Sequence, residues 1–382
     1  MYIYIVLLNQ RKIIMNDVKS AMRVGRGLVS QLSAFIELKR AYRTGETPSV
    51  LPLLYIELLK NCNLSCKHCG YASSYPEDGR LLKTSELFDI IKEAKGISTE
   101  IISFGGGEPF LREDIFDLIA YTQALNMNVH INTNATLLNK DKVLRLAKFS
   151  HMTLVVSLDH PEAEKNDLIR GQGVYEKVVN AIGLINQHSP QVRVGINCVI
   201  GPYNAGRLCD MLKLAKRLGV DSVKFTPAHD NLNHSWKKDG LAKGYEYTEN
   251  HCKTLTSEIA CVIKTARKLG IKTNSAEYLQ HIPDYILGKK GTECYAGFIY
   301  GNIDPYGNLF PCYDHKENLN VKKYGLKKAW QSEEMQKMRQ KVKNCDNKCW
   351  NTGNAEPSIR MNLFSLLKNP YQIIDDYQFY LK

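Results

Sequence analysis

Alternation between short strands and amphipathic helices runs through most of this sequence and restricts the folds it can adopt. Runs rich in β-branched and aromatic residues occur at 53–58, 100–104, 127–132, 152–158, 192–200 and 222–226. Helical patterns occupy 85–95, 113–125, 140–148, 174–186 and 205–218, with two more at 249–269 and 276–287. Repeated strand–helix–strand units predict an α/β fold with a parallel sheet and right-handed crossovers. Periodicity alone allows either an open barrel or a flat, doubly wound sheet.

The chain is long enough for a large domain with an appendage, because 382 residues can bury a sizeable core without disulfides. We expect four segments along it. A basic helical extension takes 1–48, the α/β core 49–285, a small turn-rich module 286–352 and a tail 353–382.

Residues 16–44 predict a basic helix, since apolar residues recur there at helical spacing between arginines and lysines. Such a helix can pack on the main domain, lie on an anionic membrane surface or bind a partner. The formal net charge of +12 suits an acidic partner, such as a phosphorylated substrate, an anionic lipid or a nucleic acid. Lysines are scattered without a run of five like charges, which favours a solvated surface. We therefore predict no nucleic-acid partner and at most weak membrane contact through this helix.

Cysteine use indicates metal chemistry in a reducing compartment. The chain has eleven cysteines, and its apolar start at 1–8 lacks the basic region and cleavage site of a secretory signal. We therefore expect a cytoplasmic protein, where clustered cysteines mean metal or catalysis more often than disulfides. Four cysteines outside the clusters are interpreted as ordinary buried thiols: Cys198, Cys209, Cys252 and Cys261.

A loop directly after the first strand offers three thiols within eight residues, those of Cys62, Cys66 and Cys69. A [4Fe–4S] cube normally takes four thiolates, so a cube held here leaves one iron open to a ligand. An open coordination position distinguishes a catalytic metal site from a closed structural one. The alternatives are zinc and three unrelated core thiols. Zinc ribbons usually pair two Cys-x-x-Cys knuckles, and this loop fits that pattern poorly.

The spacing of Cys62, Cys66 and Cys69, with His68 before the last cysteine, resembles the signature of the radical S-adenosylmethionine superfamily. In that family the loop follows the first strand of a partial (β/α)6 barrel of TIM type. The resemblance implies that the open iron binds the amino and carboxylate groups of S-adenosylmethionine. Electron transfer then cleaves the cofactor to a 5′-deoxyadenosyl radical, which implies an electron donor such as flavodoxin or ferredoxin.

A glycine-rich turn at 104–109 ends the second strand and resembles the Gly-Gly-Glu-Pro motif of the same family. Taken alone, such a turn is an ordinary connection from strand to helix. Glycines there let the backbone approach a ligand closely. The family motif contacts the amino group of the cofactor through backbone carbonyls and the glutamate side chain. The resemblance therefore assigns cofactor contacts to His68, Gly106, Gly107, Glu108 and Pro109.

Polar residues near the ends of later strands complete the expected cofactor site, because barrel ligands bind at the carboxyl ends of strands. They are Asn134, Ser157, Asp159, Arg170 and Asn197. Arg170 lies in a stretch that resembles the HDxxRG stretch of the family, with Asn166 in place of the histidine. Its guanidinium can bind a cofactor carboxylate or form a structural ion pair. Lys224 and His229, at the end of the sixth strand, are candidates for substrate contact or for packed, hydrogen-bonded residues.

Four further cysteines lie in the turn-rich module, namely Cys294, Cys312, Cys345 and Cys349. They can hold an iron–sulfur cluster or zinc, and the Asp-Pro-x-Gly segment at 304–307 predicts a hairpin between the first two. The module resembles the SPASM auxiliary-cluster domain. Full SPASM domains have seven cysteines and two clusters, so four imply the shortened "twitch" form with one auxiliary [4Fe–4S] cluster. The last two cysteines are separated by three residues rather than the usual two, which leaves room for an open iron or another ligand.

Three hypotheses for function remain from the sequence. The first is radical modification of a small molecule, with the auxiliary cluster accepting an electron; the second is modification of a peptide. Peptide-modifying relatives often carry an N-terminal winged-helix domain, and residues 1–50 are too short and too helical for one, which favours a small lipid-like or phosphorylated substrate. The third is an iron–sulfur scaffold or electron carrier. The intact Gly-Gly-Glu-Pro turn argues against it, because a carrier needs no S-adenosylmethionine pocket.

Overall fold

Six parallel strands form the body of the molecule. The computed structural model describes residues 32–69, 81–228, 247–289, 293–346 and 349–362. The strands are β1 (Leu53–Leu59), β2 (Ile101–Gly106), β3 (Asn128–Thr133), β4 (Met152–Ser157), β5 (Arg193–Ile200) and β6 (Ser222–Pro227). Each strand begins and ends within two residues of its predicted bounds. Their buried faces carry the Val, Ile, Leu and Phe side chains of a single large core.

The strands lie in the order β6-β5-β4-β3-β2-β1, each parallel to its neighbour in sequence. A doubly wound sheet reverses its strand order at a switch point, and no reversal occurs here. The sheet is wound in one direction, as in a (β/α) barrel, and does not close on itself within the described residues. The prediction of a partial barrel is confirmed, and the flat, doubly wound alternative is wrong.

Helices flank the sheet and match the predicted patterns with two exceptions. They are α1 (32–44), α2 (Thr84–Gly96), α3 (Ile115–Ala124), α4 (Lys140–Leu146), α5 (Ala163–Arg170), α6 (Val174–His188), α7 (Leu208–Arg217) and α8 (Glu249–Leu269). Helix α5 has no counterpart among the predicted patterns. The pattern at 276–287 contains two short helices, α9 (Ala276–Gln280) and α10 (Ile282–Ile286), because Pro283 lacks an N–H and suits the first turn of a new helix.

Two of the cysteines interpreted as buried thiols are not thiols. Cys209 on α7 and Cys261 on α8 form a disulfide, with their Cα atoms 6.2 Å apart. The two helices pack side by side and place these residues opposite each other, which the spacing of 52 residues in sequence does not reveal. Cys198 and Cys252 are buried free thiols, as predicted.

The C-terminal module continues the main sheet. Strand β7 (Tyr300–Ile303) pairs in parallel with β1, and β8 (Leu309–Phe310) pairs antiparallel with β7. The predicted hairpin joins them. Asp304 forms it, since its Oδ1 accepts the N–H groups of Tyr306 and Asn308 at 3.0 and 2.9 Å, and Gly307 supplies the positive φ of 91°.

Four helices complete this module: α11 (Val321–Tyr324), α12 (Leu326–Trp330), α13 (Glu333–Lys343) and α14 (Thr352–Arg360). Helix α14 takes up the start of the segment predicted as a tail. It reaches β6 through a contact between the hydroxyls of Thr352 and Thr226, and β7 through a hydrogen bond from Tyr300 to Asn354. We call α14 the closing helix, because it connects β6, at one edge of the sheet, with β7 near the other.

The described part of the N-terminal helix packs on the C-terminal module. Tyr42 of α1 stacks on Tyr295, with ring centroids 4.0 Å apart, and meets the edge of Phe298. Lys39 donates to the Tyr295 hydroxyl at 2.9 Å. From residue 32 onwards, α1 therefore packs on the folded domain, which was one of the three roles considered for the predicted helix. Residues 16–31 of that helix lie outside the described residues. No helix in the described ranges is long and apolar enough to cross a membrane.

Candidate functional site

The cysteine loop leaves the end of β1 and carries its three thiols at the carboxyl edge of the sheet. Cys62 and Cys66 are half-buried and Cys69 is exposed. Burial raises the pKa of Cys66 to about 11, and the neighbouring thiols of Cys69 and Cys62 add to that rise while Arg170 opposes it. Burial also raises the pKa of Cys62. The three thiols therefore lie close enough to influence one another, and without a bound cation Cys62 and Cys66 resist becoming thiolates.

The glycine-rich turn lies directly against this loop. Glu108 N–H donates to the Asn61 carbonyl at 2.9 Å, and Gly107 N–H donates to Leu59 at 2.8 Å. A Cβ on Gly107 would lie 1.8 Å from the Asn61 oxygen, and one on Gly106 would lie 2.4 Å from the Leu59 oxygen. Only glycine fits at these positions, because a side chain would push the turn away from the cysteine loop.

Glu108 is fully buried and is held by the end of β3. Its Oε1 accepts the Thr133 hydroxyl at 2.7 Å and Phe110 N–H at 3.1 Å, while its Oε2 accepts Asn134 N–H at 2.7 Å. Burial raises the pKa of this carboxyl, although the three hydrogen bonds oppose the rise. Pro109 is buried at the start of a short 3-10 turn. The side chain predicted to bind the cofactor thus joins the second and third strands at the site.

Asn134 lies beside the cysteine loop, as its predicted role requires. Its amide nitrogen is 3.5 Å from the Cys62 sulfur and donates to Asn63 at 2.9 Å. The side chain oxygen accepts the N–H and hydroxyl of Thr136. Asn134 can therefore orient the first cysteine as well as contact a ligand above it.

Arg170 and Asp159 form a buried ion pair beneath the loop. Arg170 Nε lies 2.7 Å from Asp159 Oδ2, and Nη2 donates to Oδ1 at 3.0 Å. His68 Nδ1 lies 3.8 Å from the same carboxylate, and burial lowers the pKa of His68 to about 4. The Cys66 thiol faces the Arg170 carbonyl at 3.7 Å. Arg170 thus forms the structural ion pair that was one of its two predicted roles. Its other predicted role, contact with a cofactor carboxylate, stays a prediction.

The remaining predicted residues lie on β4, β5 and β6. Ser157 and Asn197 are register partners and are half-buried, and Asn197 is in turn opposite Lys224. Asn197 accepts the Thr226 hydroxyl at 3.3 Å. Lys224 Nζ donates to the Thr273 carbonyl at 2.8 Å, so the ammonium is already bonded to the protein. His229 lies outside the described residues.

The four cysteines of the C-terminal module also gather at one place. Burial raises the pKa of Cys294 to about 11 and of Cys312 to about 12, and burial, the Asp314 carboxylate and neighbouring thiols raise the pKa of Cys349. Cys345 lies close enough to contribute to the pKa rise at Cys294 and Cys349. All four are half-buried. They form a second group of soft donors distinct from the first.

Several residues at these sites have no signal in the sequence. Asp314 follows Cys312 by two positions, and the Cys349 thiol donates to its carboxylate at 3.7 Å. Glu57, fully buried on β1, accepts hydrogen bonds from Lys60 and from Tyr313. Glu57 contributes only a polar residue in a strand pattern, and Tyr313 lies 256 residues away, so the contact between these two residues could not be predicted from local spacing.

The donor sets fit iron–sulfur clusters better than single ions. Among the described residues, which include all seven of these cysteines, no three His, Cys, Asp or Glu side chains converge closely enough to ligate one metal ion. Thiolates attached to different irons of a cube are farther apart than ligands of one ion. A cluster would also supply the positive charge that these buried thiols lack. Zinc would supply positive charge as well, so the spacing of the donors, and not the charge, is what favours a cluster over a single zinc ion.

Comparison with known families agrees with this geometry. Residues 56–215 match the family model described as the radical SAM superfamily, and residues 294–351 match SPASM, described as an iron–sulfur cluster-binding domain. The two matches contain the first and second groups of cysteines respectively. They bear out the predicted [4Fe–4S] and S-adenosylmethionine cofactors of the core and an iron–sulfur auxiliary domain.

Two kinds of curated protein are among the relatives of this chain. The mycofactocin maturase MftC of Mycobacterium ulcerans is 29% identical over 67% of this chain and 66% of its own length. An AdoMet-dependent heme synthase of Methanosarcina barkeri is 32% identical over 44% of this chain and 48% of its own length. The chain thus spans 66% of the length of the first of these two relatives and 48% of the second.

Solved structures share the fold at low sequence identity. SuiB of Streptococcus suis, bound to the precursor peptide SuiA, has a TM-score of 0.61 at 18% identity, covering 77% of this chain and 68% of that one. The structure of anSMEcpe with AdoMet and the Cp18Cys peptide has a TM-score of 0.59 at 19% identity, covering 76% of this chain and 83% of that one.

Proposed function

Because the chain belongs to the radical S-adenosylmethionine superfamily and carries a SPASM-type iron–sulfur domain, we propose that it modifies a peptide by radical chemistry. When bound, the cluster at Cys62, Cys66 and Cys69 supplies the electron that cleaves S-adenosylmethionine, and the resulting 5′-deoxyadenosyl radical abstracts hydrogen from the substrate. The observation that carries this proposal is the joint geometry of the cysteine loop and the Gly-Gly-Glu-Pro turn, which are hydrogen-bonded to each other.

The protein's own residues prepare the site for this reaction. Gly106 and Gly107 bring the backbone of the turn against the cysteine loop, and Asn134 contacts both the loop and Cys62. The buried pair of Asp159 with Arg170 supports the loop from below. Carbonyl and carboxylate oxygens at this edge are suited to accept hydrogen bonds from the amino group of the cofactor.

A peptide substrate is favoured over the small molecule expected from the sequence. The maturase relatives match a larger share of the chain than the heme synthases do. Structural neighbours with peptides bound indicate that this fold admits a peptide. The expectation of a small substrate relied on residues 1–50 being too short for a winged-helix domain. Most of those residues lie outside the part of the chain that the structure describes, so the structure gives that expectation no support.

The decisive experiment follows hydrogen from the substrate. Anaerobically reconstituted, reduced protein is given S-adenosylmethionine together with deuterated short peptides or a deuterated sugar alcohol, and 5′-deoxyadenosine is analysed by mass spectrometry. Deuterium arriving from a peptide supports the proposal, whereas deuterium arriving only from the sugar alcohol supports the small-molecule alternative.

Two variants separate the roles of the cysteine groups. Cys66→Ala is expected to abolish release of 5′-deoxyadenosine, since it removes a ligand of the first cluster. Cys345→Ala is expected to leave some release but to lose the product, because the auxiliary site is disturbed and not the radical source. Full product formation by Cys345→Ala would contradict a role for the auxiliary cluster. No release from fully reconstituted wild-type protein would favour the scaffold hypothesis.

A further inference from the structure

Side chains in the segment that follows Cys312 contact three different parts of the molecule. Tyr313 donates a hydrogen bond to Glu57 on β1, Asp314 accepts from the Cys349 thiol, and Lys316 pairs with Asp304 at 2.6 Å. The Tyr313 ring also meets the edge of Phe310, with centroids 5.1 Å apart. A ligand-bearing segment of the auxiliary site is thus fixed against the core strand that leads to the first cysteine loop.

Glu57 is an unusual residue for the position it holds. Its side chain is fully buried on β1. Its register partner on β2 is Gly105, which has no side chain. Its Oε2 lies 2.8 Å from Lys60 Nζ, and the Lys60 side chain is only 14% exposed. A buried carboxyl group costs free energy unless its oxygens are hydrogen-bonded, and here Lys60 donates to Oε2 and Tyr313 donates to Oε1.

The two partners of Glu57 belong to the two cysteine groups. Lys60 is two residues before Cys62, and Tyr313 immediately follows Cys312. Glu57 is therefore a point at which hydrogen bonds connect the loop of the first cluster with the loop of the second. An ion pair that merely stabilised β1 would need only Lys60.

We propose that Glu57 is a positioning residue that couples the two cluster sites, by fixing the Cys312 segment through Tyr313 and placing the Glu57–Lys60 charges beside both loops. The inference rests on the proposed function only in requiring both clusters. Reduction potentials of iron–sulfur clusters depend on nearby charge, hydrogen bonding and solvent access, so this arrangement sets the potential of the auxiliary cluster.

The test measures the midpoint potential and electron paramagnetic resonance spectrum of the auxiliary cluster in the full, reconstituted protein without substrate. Added S-adenosylmethionine is expected to perturb the cluster at Cys62, Cys66 and Cys69, where it binds, so the unperturbed signal is assigned to the auxiliary site. Glu57→Gln keeps an acceptor oxygen and removes the negative charge, so the potential is expected to rise. Lys60→Met removes the positive charge, so the potential is expected to fall.

Tyr313→Phe tests the hydrogen bond between Tyr313 and Glu57. It removes one hydrogen bond and keeps the ring against Phe310. If Tyr313 transmits the effect, the shift caused by Glu57→Gln in the Tyr313→Phe background is expected to be roughly half or less of its value in the wild type, as for residues that act together. The matched control is Tyr247→Phe, which removes a hydroxyl that bonds Ile200 on the far side of the sheet and should leave the potential unchanged.

Each possible outcome either supports or overturns the proposed coupling of the two cluster sites by Glu57. Shifts of opposite sign for Glu57→Gln and Lys60→Met, reduced by Tyr313→Phe at unchanged iron content, support coupling. Equal shifts with and without Tyr313, or none at all, overturn it. Loss of iron in every variant assigns Glu57 a purely structural role and also overturns it. No substrate enters these measurements, so a wrong peptide assignment leaves them valid.

Discussion

At the scale of single residues, Gly107 shows how tightly the site is assembled. A methyl group there would lie 1.8 Å from the oxygen of Asn61 and 2.7 Å from that of Lys60, both of them backbone atoms that cannot rotate away. The turn and the cysteine loop are also joined by the bond from Glu108 N–H to Asn61. The close approach of the turn to the cysteine loop therefore requires glycine at this position.

Gly107→Ala is accordingly expected to separate the turn from the loop. The strain of overpacking costs about 1–3 kcal/mol of the free energy of unfolding. Iron content should fall from about eight towards about four per chain, because only the first cluster is affected, and release of 5′-deoxyadenosine should fall with it. Gly183→Ala is the matched control, since nothing lies within 4 Å of its added methyl group. Wild-type iron content and release in Gly107→Ala would contradict this view of the turn.

The sequence predicts the residues of the site where spacing is local. Cys62, Cys66 and Cys69, and the glycines of the turn, are close together in the chain and carry a recognisable pattern. The bond between Tyr313 and Glu57 joins residues 256 positions apart, and the pairing of Arg170 with Asp159 competes with a ligand role that spacing suggests equally well. Such contacts are decided by tertiary packing, which a local pattern does not contain.

At the scale of elements, the closing helix α14 is held by a buried acid. Glu356 Oε1 accepts Ser275 N–H at 2.9 Å and lies 3.3 Å from Arg360. Burial alone would raise the pKa of this carboxyl, but Arg360, Lys224 and the Ser275 N–H together hold it below the ordinary value of 4.5. The carboxylate is therefore favoured in the folded protein and ties α14 to both α9 and β6.

Glu356→Gln is expected to lower the free energy of unfolding by about 1–3 kcal/mol at neutral pH. The pKa of Glu356 is lowered on folding, so its contribution is complete above pH 4.5 and is lost as the pH falls through the folded-state value. Urea unfolding of the two proteins at several pH values measures the difference, which should shrink below pH 4.5. A difference that grew in acid would mean that the carboxyl is neutral in the folded protein.

Element bounds follow from the sequence where periodicity is strong. The six core strands and α8 agree with their predicted ranges because apolar residues repeat regularly there. Helix α5 is missed because its charged and amide residues form no apolar stripe. The disulfide between α7 and α8 is missed because it depends on which helices become neighbours.

At the scale of the whole molecule, the sheet makes one unit of two sequence modules. Strand β7 of the C-terminal module pairs with β1 over four residue pairs, from Leu53 opposite Tyr300 to Ile56 opposite Ile303. The closing helix adds contacts across the same boundary, from Thr352 to Thr226 on β6 and from Glu356 to Ser275. The consecutive strand pattern predicts the barrel, but strands as short as β7 and β8 give too little pattern to predict this junction.

Unfolding is therefore expected to be cooperative across both modules. Trp330 and Trp350 are buried in the C-terminal module and, in a Trp236→Phe background, report on it by fluorescence, while circular dichroism reports mainly on the larger core. In urea, the two signals should change at the same midpoint, as they do for a single cooperative unit. A fluorescence transition at clearly lower urea would show that the C-terminal module unfolds by itself.

The pairing of β1 with β7 also has a consequence for synthesis on the ribosome. Strand β1 emerges early, yet the strand that covers its second edge is not made until translation has passed from Leu53 to Tyr300. At about 5–20 residues per second, that interval lasts roughly 12 to 50 seconds. An uncovered strand edge invites pairing with another chain. The nascent chain is thus exposed to misassembly during elongation, and slower translation or loss of chaperones should reduce its soluble yield.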